Sequence, residues 1–347
     1  YLDLAFQLAE RNLGQTGLNP SVGCLIVKND TIISQGVTSI NGRPHSEFNA
    51  LKKQKNFSGS TMYTTLEPCT HYGKTPPCTD IIIKKKLKKV IYGFEDPDTR
   101  TFKKAKKILN KRGIKTYLIK SKKYKDFYKS YFINRKFKIP FVSAKIAISK
   151  DYYTINRKGK WISNTKSRNV AHLLRSRFDL IISTSRSINS DNSLLNCRIN
   201  GLNNYKPDLF IIDLKLNLKK KLLLNKIISK RKTYIITKKV NIKKVFAYKK
   251  IGYKIIFIDA LTNKNDFKNL LKKIYIMGYS RVLVESGLTF LTSLIKGNFI
   301  NVLYMFKSNI NLKDKGKNNI SSSYLKKLLF KPVPINLNND RLLKKDF

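Results

Sequence analysis

The chain has 347 residues, 41 % of them hydrophobic, enough for two ordinary domains that each bury a core, which excludes a disordered chain. No apolar run approaches the length of a membrane span, no secretory leader pattern opens the chain, and four cysteines are no disulfide framework, so the expected compartment is the cytosol. The formal net charge is +50, but the Lys residues are spread along the chain among many Asn and Ile, a compositional bias that licenses only non-specific nucleic-acid binding through charge.

Residues 2–12 read as a helix with Leu4, Ala5, Leu8 and Ala9 on one face. Residues 22–27 and 31–34 are apolar runs parted by Lys28-Asn29-Asp30, which predicts a hairpin. There follow a helix over 45–53, a strand over 61–65, a helix over 79–86, a strand over 90–94, a helix over 102–111 and a strand over 115–119. A very basic helix over 122–138 leads to Pro140, and the boundary there divides the chain into domains 1–138 and 139–347. In the second domain strands are expected at 141–147, 179–183, 209–213, 233–237, 254–258, 281–285 and 302–306, with helices at 165–177, 266–277 and 289–296. Strands alternating with helices indicate α/β architecture in both halves; the Asn/Lys-rich tail from Lys307 reads as loop in parts.

The chemistry concentrates in His45-Ser46-Glu47, then Pro68-Cys69, then Pro77-Cys78. One His and two thiolates form a tetrahedral zinc set with a fourth position left open for water, and a bound zinc ion makes that water a nucleophile near neutral pH. The proton shuttle must be a carboxylate that is not a ligand, and Glu47 stands two residues past His45 at the start of a helix. The order matches the general zinc-deaminase signature, H-x-E followed by P-C-x-x-C. Here eight residues, Thr70 to Pro77, separate the cysteines instead of two.

That insertion, Thr-His-Tyr-Gly-Lys-Thr-Pro-Pro, resembles the deaminase half of the bifunctional riboflavin-biosynthesis deaminase/reductase family. The stretches Asn19-Pro20-Ser21-Val22-Gly23-Cys24 and Gly42-Arg43-Pro44-His45-Ser46-Glu47 are similar to that family's Asn-Pro-x-Val-Gly-Cys and Gly-x-Pro-His-x-Glu. The resemblance implies a cytidine-deaminase-like three-layer α/β domain with one Zn2+ per chain, and a substrate pocket lined by Asn19, His71, Lys74 and Thr75. Lys74 and Thr75 offer a cation and a hydroxyl suited to a phosphate. Thr38 stands where the family commonly has His, and the Asp96-Pro97 loop lacks the glycines that usually follow it.

Residue chemistry says less about the second half, which has no G-x-G-x-x-G; a strand ending in Glu285, then Ser286-Gly287-Leu288-Thr289 opening a helix, suits an anion. Ser143-Ala144-Lys145-Ile146-Ala147, Lys160-Trp161-Ile162-Ser163, His172-Leu173-Leu174-Arg175, and Val284 through Thr289 resemble the same family's reductase half. This implies a dihydrofolate-reductase-like α/β domain using NADPH. Lys145, Trp161, Ser187, Asp191 and the turn Gly287, Leu288, Thr289, Phe290, Leu291, Thr292, Ser293 would meet the cofactor. Arg175, Leu195, Arg198 and Glu285 would meet the ribose phosphate of a phosphorylated pyrimidine. The resemblance thus predicts a two-step enzyme of riboflavin biosynthesis, with a homo-oligomer expected and no membrane partner. Departures are Ser149-Lys150-Asp151-Tyr152 for Ser-Leu-Asp-Gly, Gly159 for Ser, Asn192-Ser193 for Asp-Pro, and Leu288 for Pro. Two alternatives stand beside it: a tRNA or single-strand nucleic-acid deaminase, which the eight-residue gap disfavours, and a deaminase carrying a non-catalytic reductase-like domain.

Overall fold

The computed structural model describes residues 1–52, 56–120, 122–159, 161–202, 207–239, 242–320 and 324–347, and it divides into two units, Tyr1–Lys138 and Ile139–Phe347. Lys160 of the expected Lys160–Ser163 motif lies outside the described residues.

In the first unit the elements run α1 (Leu2–Glu10), β1 (Gly23–Lys28), β2 (Thr31–Val37), α2 (Ser46–Leu51), β3 (Thr61–Thr64), α3 (Cys78–Lys84), β4 (Lys89–Tyr92), α4 (Ala105–Lys111), β5 (Lys115–Leu118) and α5 (Lys129–Phe137). The strands form one sheet in the order β2-β1-β3-β4-β5, antiparallel across β2-β1-β3 and parallel across β3-β4-β5. The expected hairpin is present: Lys28 pairs with Thr31, and Asn29 and Asp30 turn with φ 47 and 54, the two left-handed residues that a tight hairpin turn needs.

Alternation along the strands builds three layers. Cys24, Ile26, Met62 and Val90 point to one face and pack with Ala50 and Leu51 of α2, Ile82 of α3 and Leu109 of α4. On the other face Phe6 of α1 gathers Val22, Leu66, Tyr124, Tyr128 and Tyr131. Two expectations change here. Phe6, not Leu4, is the buried anchor of α1; Leu4 is 46 % exposed. The basic helix begins only at Lys129, because Tyr124 is stacked flat on Phe6 with ring centroids 4.1 Å apart, and 123–128 run as turns to deliver it. The aromatic packing outweighs local helix propensity.

Gly36 sets the height of α2 over the sheet. A Cβ there would lie 2.2 Å from Ser46 O and 2.5 Å from Ala50 N, both rigid backbone. We expect Gly36→Ala to lift the helix that carries Glu47, costing about 1–3 kcal/mol and loosening metal retention. Thermal melts with zinc analysis of the variant check this; an unchanged melt with full zinc would contradict it.

In the second unit the elements run β6 (Phe141–Ile148), β7 (Tyr153–Asn156), α6 (Thr165–Ser176), β8 (Leu180–Thr184), α7 (Ser185–Asp191), β9 (Asp208–Ile212), β10 (Thr233–Thr237), α8 (Ile242–Ile251), β11 (Lys254–Phe257), α9 (Lys264–Ile276), β12 (Arg281–Val284), α10 (Leu288–Lys296), β13 (Val302–Lys307), β14 (Gly316–Asn319), β15 (Lys331–Pro332) and β16 (Arg341–Asp346). Among the described residues the main sheet has the order β11-β10-β9-β8-β12-β6-β13-β16-β15, parallel from β11 to β13, and β7 pairs with β14 apart from it. Leu180, Ile182, Phe210, Ile212, Val282 and Val284 face α9 and α10, while Ile181, Leu209, Ile211 and Leu283 face Val245 and Tyr248 of α8. The short α7 and α8 were not expected; α7 buries only Ile188, so no apolar stripe marks it. The tail is loop in parts, and its strand β16 pairs antiparallel along the whole of β13, from Val302↔Asp346 to Lys307↔Arg341. Among the described residues no helix is long and apolar enough to cross a membrane.

Candidate active sites

In the first unit, two helix starts and one loop bring the expected ligands together. His45 is the residue before α2, Cys78 is the first residue of α3, and Cys69 lies on the loop after β3. His45 Nδ1 stands 3.6 Å from Cys69 Sγ and 3.5 Å from Cys78 Sγ, and the three ligand atoms lie within 4.8 Å of one another. A tetrahedral zinc with ordinary Zn–N and Zn–S bonds separates nitrogen from sulfur by about 3.5 Å, so donor type and spacing both fit that metal. Cys78 N–H donates to Cys69 Sγ at 3.2 Å, and hydrogen bonding from the Cys78 thiol and from His45 pulls Cys69 down to about 4, toward the thiolate a metal needs.

Glu47, in the first turn of α2, is 4 % exposed and is not one of the three clustered ligands. Its Oε2 accepts from Ser46 Oγ at 2.8 Å; burial pushes the carboxyl above its ordinary value, and the neighbouring His45 pulls the other way. A buried carboxyl with a raised pKa beside a metal set is suited to exchanging protons near neutral pH.

The expected pocket residues differ in what holds them. Asn19 donates from Nδ2 to Gly42 O at 3.1 Å. Gly42 has φ 86, and a Cβ there would sit 2.5 Å from Asn19 Nδ2, so Asn19 braces the turn leading to His45. His71 places Nδ1 3.1 Å from Thr101 Oγ1; burial and the Arg100 charge hold it below its ordinary value. Lys74 is exposed, and Thr75 is half-buried with its hydroxyl accepting from Arg43 NH1 at 2.6 Å. Thr38 is buried, and its Oγ1 accepts from Val22 N–H at 3.0 Å, so this position serves the backbone seam beside β1.

Sequence reasoning missed Glu67, which precedes Pro68-Cys69. Its carboxylate accepts from the backbone N–H groups of Asp96, Lys103 and Ala105 at 3.0–3.2 Å, tying the Asp96-Pro97 loop to the ligand loop. Tyr131 OH donates to Asp96 Oδ1 at 3.0 Å, and burial raises Asp96 to about 6. The only signal was a Glu next to a ligand motif, which looks like any surface acid.

We expect the full chain to hold one zinc per polypeptide and Cys69→Ser to lose most of it, because a neutral hydroxyl is a poor zinc ligand. Elemental analysis after dialysis checks this; full zinc in the variant would contradict the ligand set.

In the second unit the charged site forms at the carboxyl ends of the adjacent parallel strands β6, β8 and β12, where open α/β sheets place ligands. Glu285 follows β12 and is buried; Arg175 of α6 reaches it through Nε at 2.6 Å and NH2 at 2.9 Å, and Lys145 of β6 through Nζ at 2.9 Å. Arg175 NH1 also donates to Asn196 O at 3.1 Å, and Arg198 NH1 donates to Asn196 Oδ1 at 2.6 Å, so the segment of Leu195 and Arg198 is drawn to the same cluster. Leu195 is buried with φ 48, its side chain in the sheet's core. Burial, then the charges of Arg175 and Arg198, lower His172 to about 4.

Ser187 Oγ accepts from Gly287 N–H at 3.0 Å, joining the start of α7 to that of α10. Gly287 caps α10 without a side-chain acceptor, which leaves first-turn N–H groups for an anion. The expected cofactor turn narrows in side-chain terms: Leu291 is 1 % exposed in the core and Phe290 leans on Phe267, leaving Leu288, Thr289, Thr292 and Ser293 partly or fully exposed. Trp161 is 51 % exposed with the Arg168 guanidinium 4.8 Å from its ring centre, so it is not a core residue. Asp191 ends α7 and is exposed. Among the departures, Tyr152 takes φ 71 where glycine is usual, keeping the turn, and Asp151 accepts from Leu312 and Lys313 N–H.

Residues 1–94 match the cytidine and deoxycytidylate deaminase zinc-binding region, and residues 140–309 match the RibD C-terminal domain. Over 312 residues the chain is 31 % identical to riboflavin biosynthesis protein RibD of Aquifex aeolicus, covering 88 % of this chain and 85 % of that protein. Against RibD of Buchnera aphidicola it is 32 % identical over 326 residues, with 88 % and 85 % covered. Among solved structures, RibD of Acinetobacter baumannii superposes with a TM-score of 0.82 at 25 % identity, covering 99 % of this chain and 96 % of that one. A Thermotoga maritima protein superposes with a TM-score of 0.83 at 26 % identity, covering 100 % and 97 %; it is named diaminohydroxyphosphoribosylaminopyrimidine deaminase/5-amino-6-(5-phosphoribosylamino)uracil reductase.

Proposed function

The chain belongs to the bifunctional riboflavin-biosynthesis deaminase/reductase family, and from that premise we propose how its two halves divide the work. Domain 1–138 deaminates 2,5-diamino-6-(5-phosphoribosylamino)pyrimidin-4(3H)-one, and domain 139–347 reduces the ribosyl chain of the product to ribityl with NADPH. The observation that carries the first step is the His45/Cys69/Cys78 cluster at zinc spacing with the buried carboxyl of Glu47 at the start of the same helix.

A zinc ion held by those three side chains supplies a water acidic enough to attack near neutral pH. Glu47 takes a proton from the attacking water on its carboxylate. It then returns the proton to the amino nitrogen, so that the carbon–nitrogen bond breaks and ammonia leaves. Asn19 and His71 frame the base, while Lys74 and Thr75 supply a cation and a hydroxyl to the phosphate. In the second domain Arg175 and Arg198 bind the ribose phosphate, next to Leu195 and Glu285. Pairing of Glu285 with Arg175 and Lys145 holds both cations in place. Lys145, Trp161, Ser187, Asp191 and the turn 287–293 orient the nicotinamide cofactor, which supplies hydride to C1 of the ribose. The paired Lys145–Glu285–Arg175 cluster favours a working reductase over a lapsed one.

Zinc-loaded full chain, given the diaminopyrimidine ribosyl phosphate and NADPH, is expected to release ammonia and then oxidise NADPH in equal amount. Ammonia without NADPH loss would mean a lapsed second domain. No ammonia from fully metallated protein would sink the substrate assignment.

A further inference from the structure

The segment between the two thiol ligands is held by a cation at the unassigned second position of Gly42-Arg43-Pro44-His45. Arg43 is half-buried; its NH1 donates to Thr75 Oγ1 at 2.6 Å, and its NH2 would lie 3.5 Å from a Cβ built on Gly73. The guanidinium therefore lies along residues 73–75, the stretch inserted between Cys69 and Cys78. Other arginines near the first site face an acid: Arg100 and Arg135 flank Asp98. Among the described residues Arg43 has no carboxylate within ion-pair distance. A half-buried cation with spare donors and no acid partner is a costly arrangement for a protein that keeps it only as a clamp. It is a suitable one for an anionic ligand, because the guanidinium fork matches phosphate oxygens two at a time. Thr75, with its hydroxyl accepting from Arg43, keeps its own proton to donate to the same anion.

We propose that Arg43 is a specificity-determining residue of the deaminase site, holding the phosphate of the substrate together with the Thr75 hydroxyl. This rests on the deaminase reading above. Arg43 and Thr75 then distinguish the phosphorylated pyrimidine from its dephosphorylated counterpart, while Lys74, exposed on the same loop, adds long-range attraction.

Three measurements on the zinc-loaded full chain test it. In the first, Arg43→Gln is expected to raise KM for ammonia release about 10- to 100-fold with the phosphorylated substrate, with a far smaller change in kcat. Arg43→Lys falls between the two, and zinc content stays at the wild-type level. In the second, the dephosphorylated substrate is poor for the wild type, and the variant handles it nearly as the wild type does. Equal losses on both substrates would make Arg43 a loop clamp and overturn the proposal, as would an unchanged KM. The third needs no turnover: phenylglyoxal labelling of wild-type Arg43, read by peptide mass spectrometry, is expected to slow several-fold in millimolar inorganic phosphate. Labelling that ignores phosphate overturns the proposal by itself. A wild type that releases no ammonia yet shows a phosphate-protected Arg43 would sink the substrate reading and keep the anion site.

Discussion

Glu47→Gln is expected to lower kcat for ammonia release by about a thousandfold, the usual worth of a positioned proton-transfer group. The amide keeps the volume of the carboxyl and an oxygen that can still accept from Ser46 Oγ, so α2 and the ligand His45 stay where they are. What is lost is the ability to take a proton and give it back. Zinc content and melting temperature should remain near wild type, which separates a chemical loss from a structural one. Because Glu47 lies in unit Tyr1–Lys138, the variant given 5-amino-6-(5-phosphoribosylamino)uracil directly should still oxidise NADPH. Ammonia release within tenfold of wild type would remove Glu47 from the mechanism.

Glu285→Ala is expected to destabilise the second unit by about 3–5 kcal/mol, the cost of stranding buried charge. Arg175 and Lys145 are 12 % and 17 % exposed, and each loses the carboxylate it pairs with. Burial alone would raise the Glu285 carboxyl, but the charges of Arg175 and Lys145 override it and hold it well below the usual carboxylate range. A depressed carboxyl contributes stability above its unfolded value and loses it as pH falls. The gap in unfolding free energy between wild type and variant should therefore be full at pH 7 and shrink below about pH 4. Denaturant unfolding of the full chain at several pH values reads this as a shift of the second unit's transition. A gap independent of pH would mean that packing, rather than charge, holds the cluster. NADPH oxidation in the variant should fall as well, since Arg175 of the proposed phosphate site and Lys145 of the proposed cofactor site both lose their anchor.

Much of this was legible in the chain. The order His45, Glu47, Cys69, Cys78 with both prolines names a zinc chemistry, because few residue sets serve that geometry. The buried strands were legible as well, since a buried parallel strand such as β9 or β12 is nearly a continuous apolar run. The elements that escaped were those whose stability is not local. Strand β16, Arg-Leu-Leu-Lys-Lys-Asp, reads as a polar tail until β13 offers it a ladder of hydrogen bonds. Helix α7 carries Ser187 on a stretch with one buried apolar residue and depends on Thr184 for its cap. Residues 122–128 have helical composition but give up the helix to bury Tyr124 against Phe6.

The sequence by itself determined the α/β class of both halves and the family, and it named the candidate ligand set and the proton-transfer candidate. Each rests on residue types at fixed spacing, and spacing survives without coordinates. Only the tertiary structure decided which charges neutralise one another. Glu285, which the resemblance sets beside the substrate, is also the shared counter-ion of Arg175 and Lys145, residues 110 and 140 positions away from it in the chain. Arg43, one of 71 cationic residues, stands out only because folding sets it on Thr75 with no acid paired to it among the described residues. Coulomb and hydrogen-bond energies depend on distances of a few ångströms between groups far apart in sequence, and those distances exist only after the chain has folded.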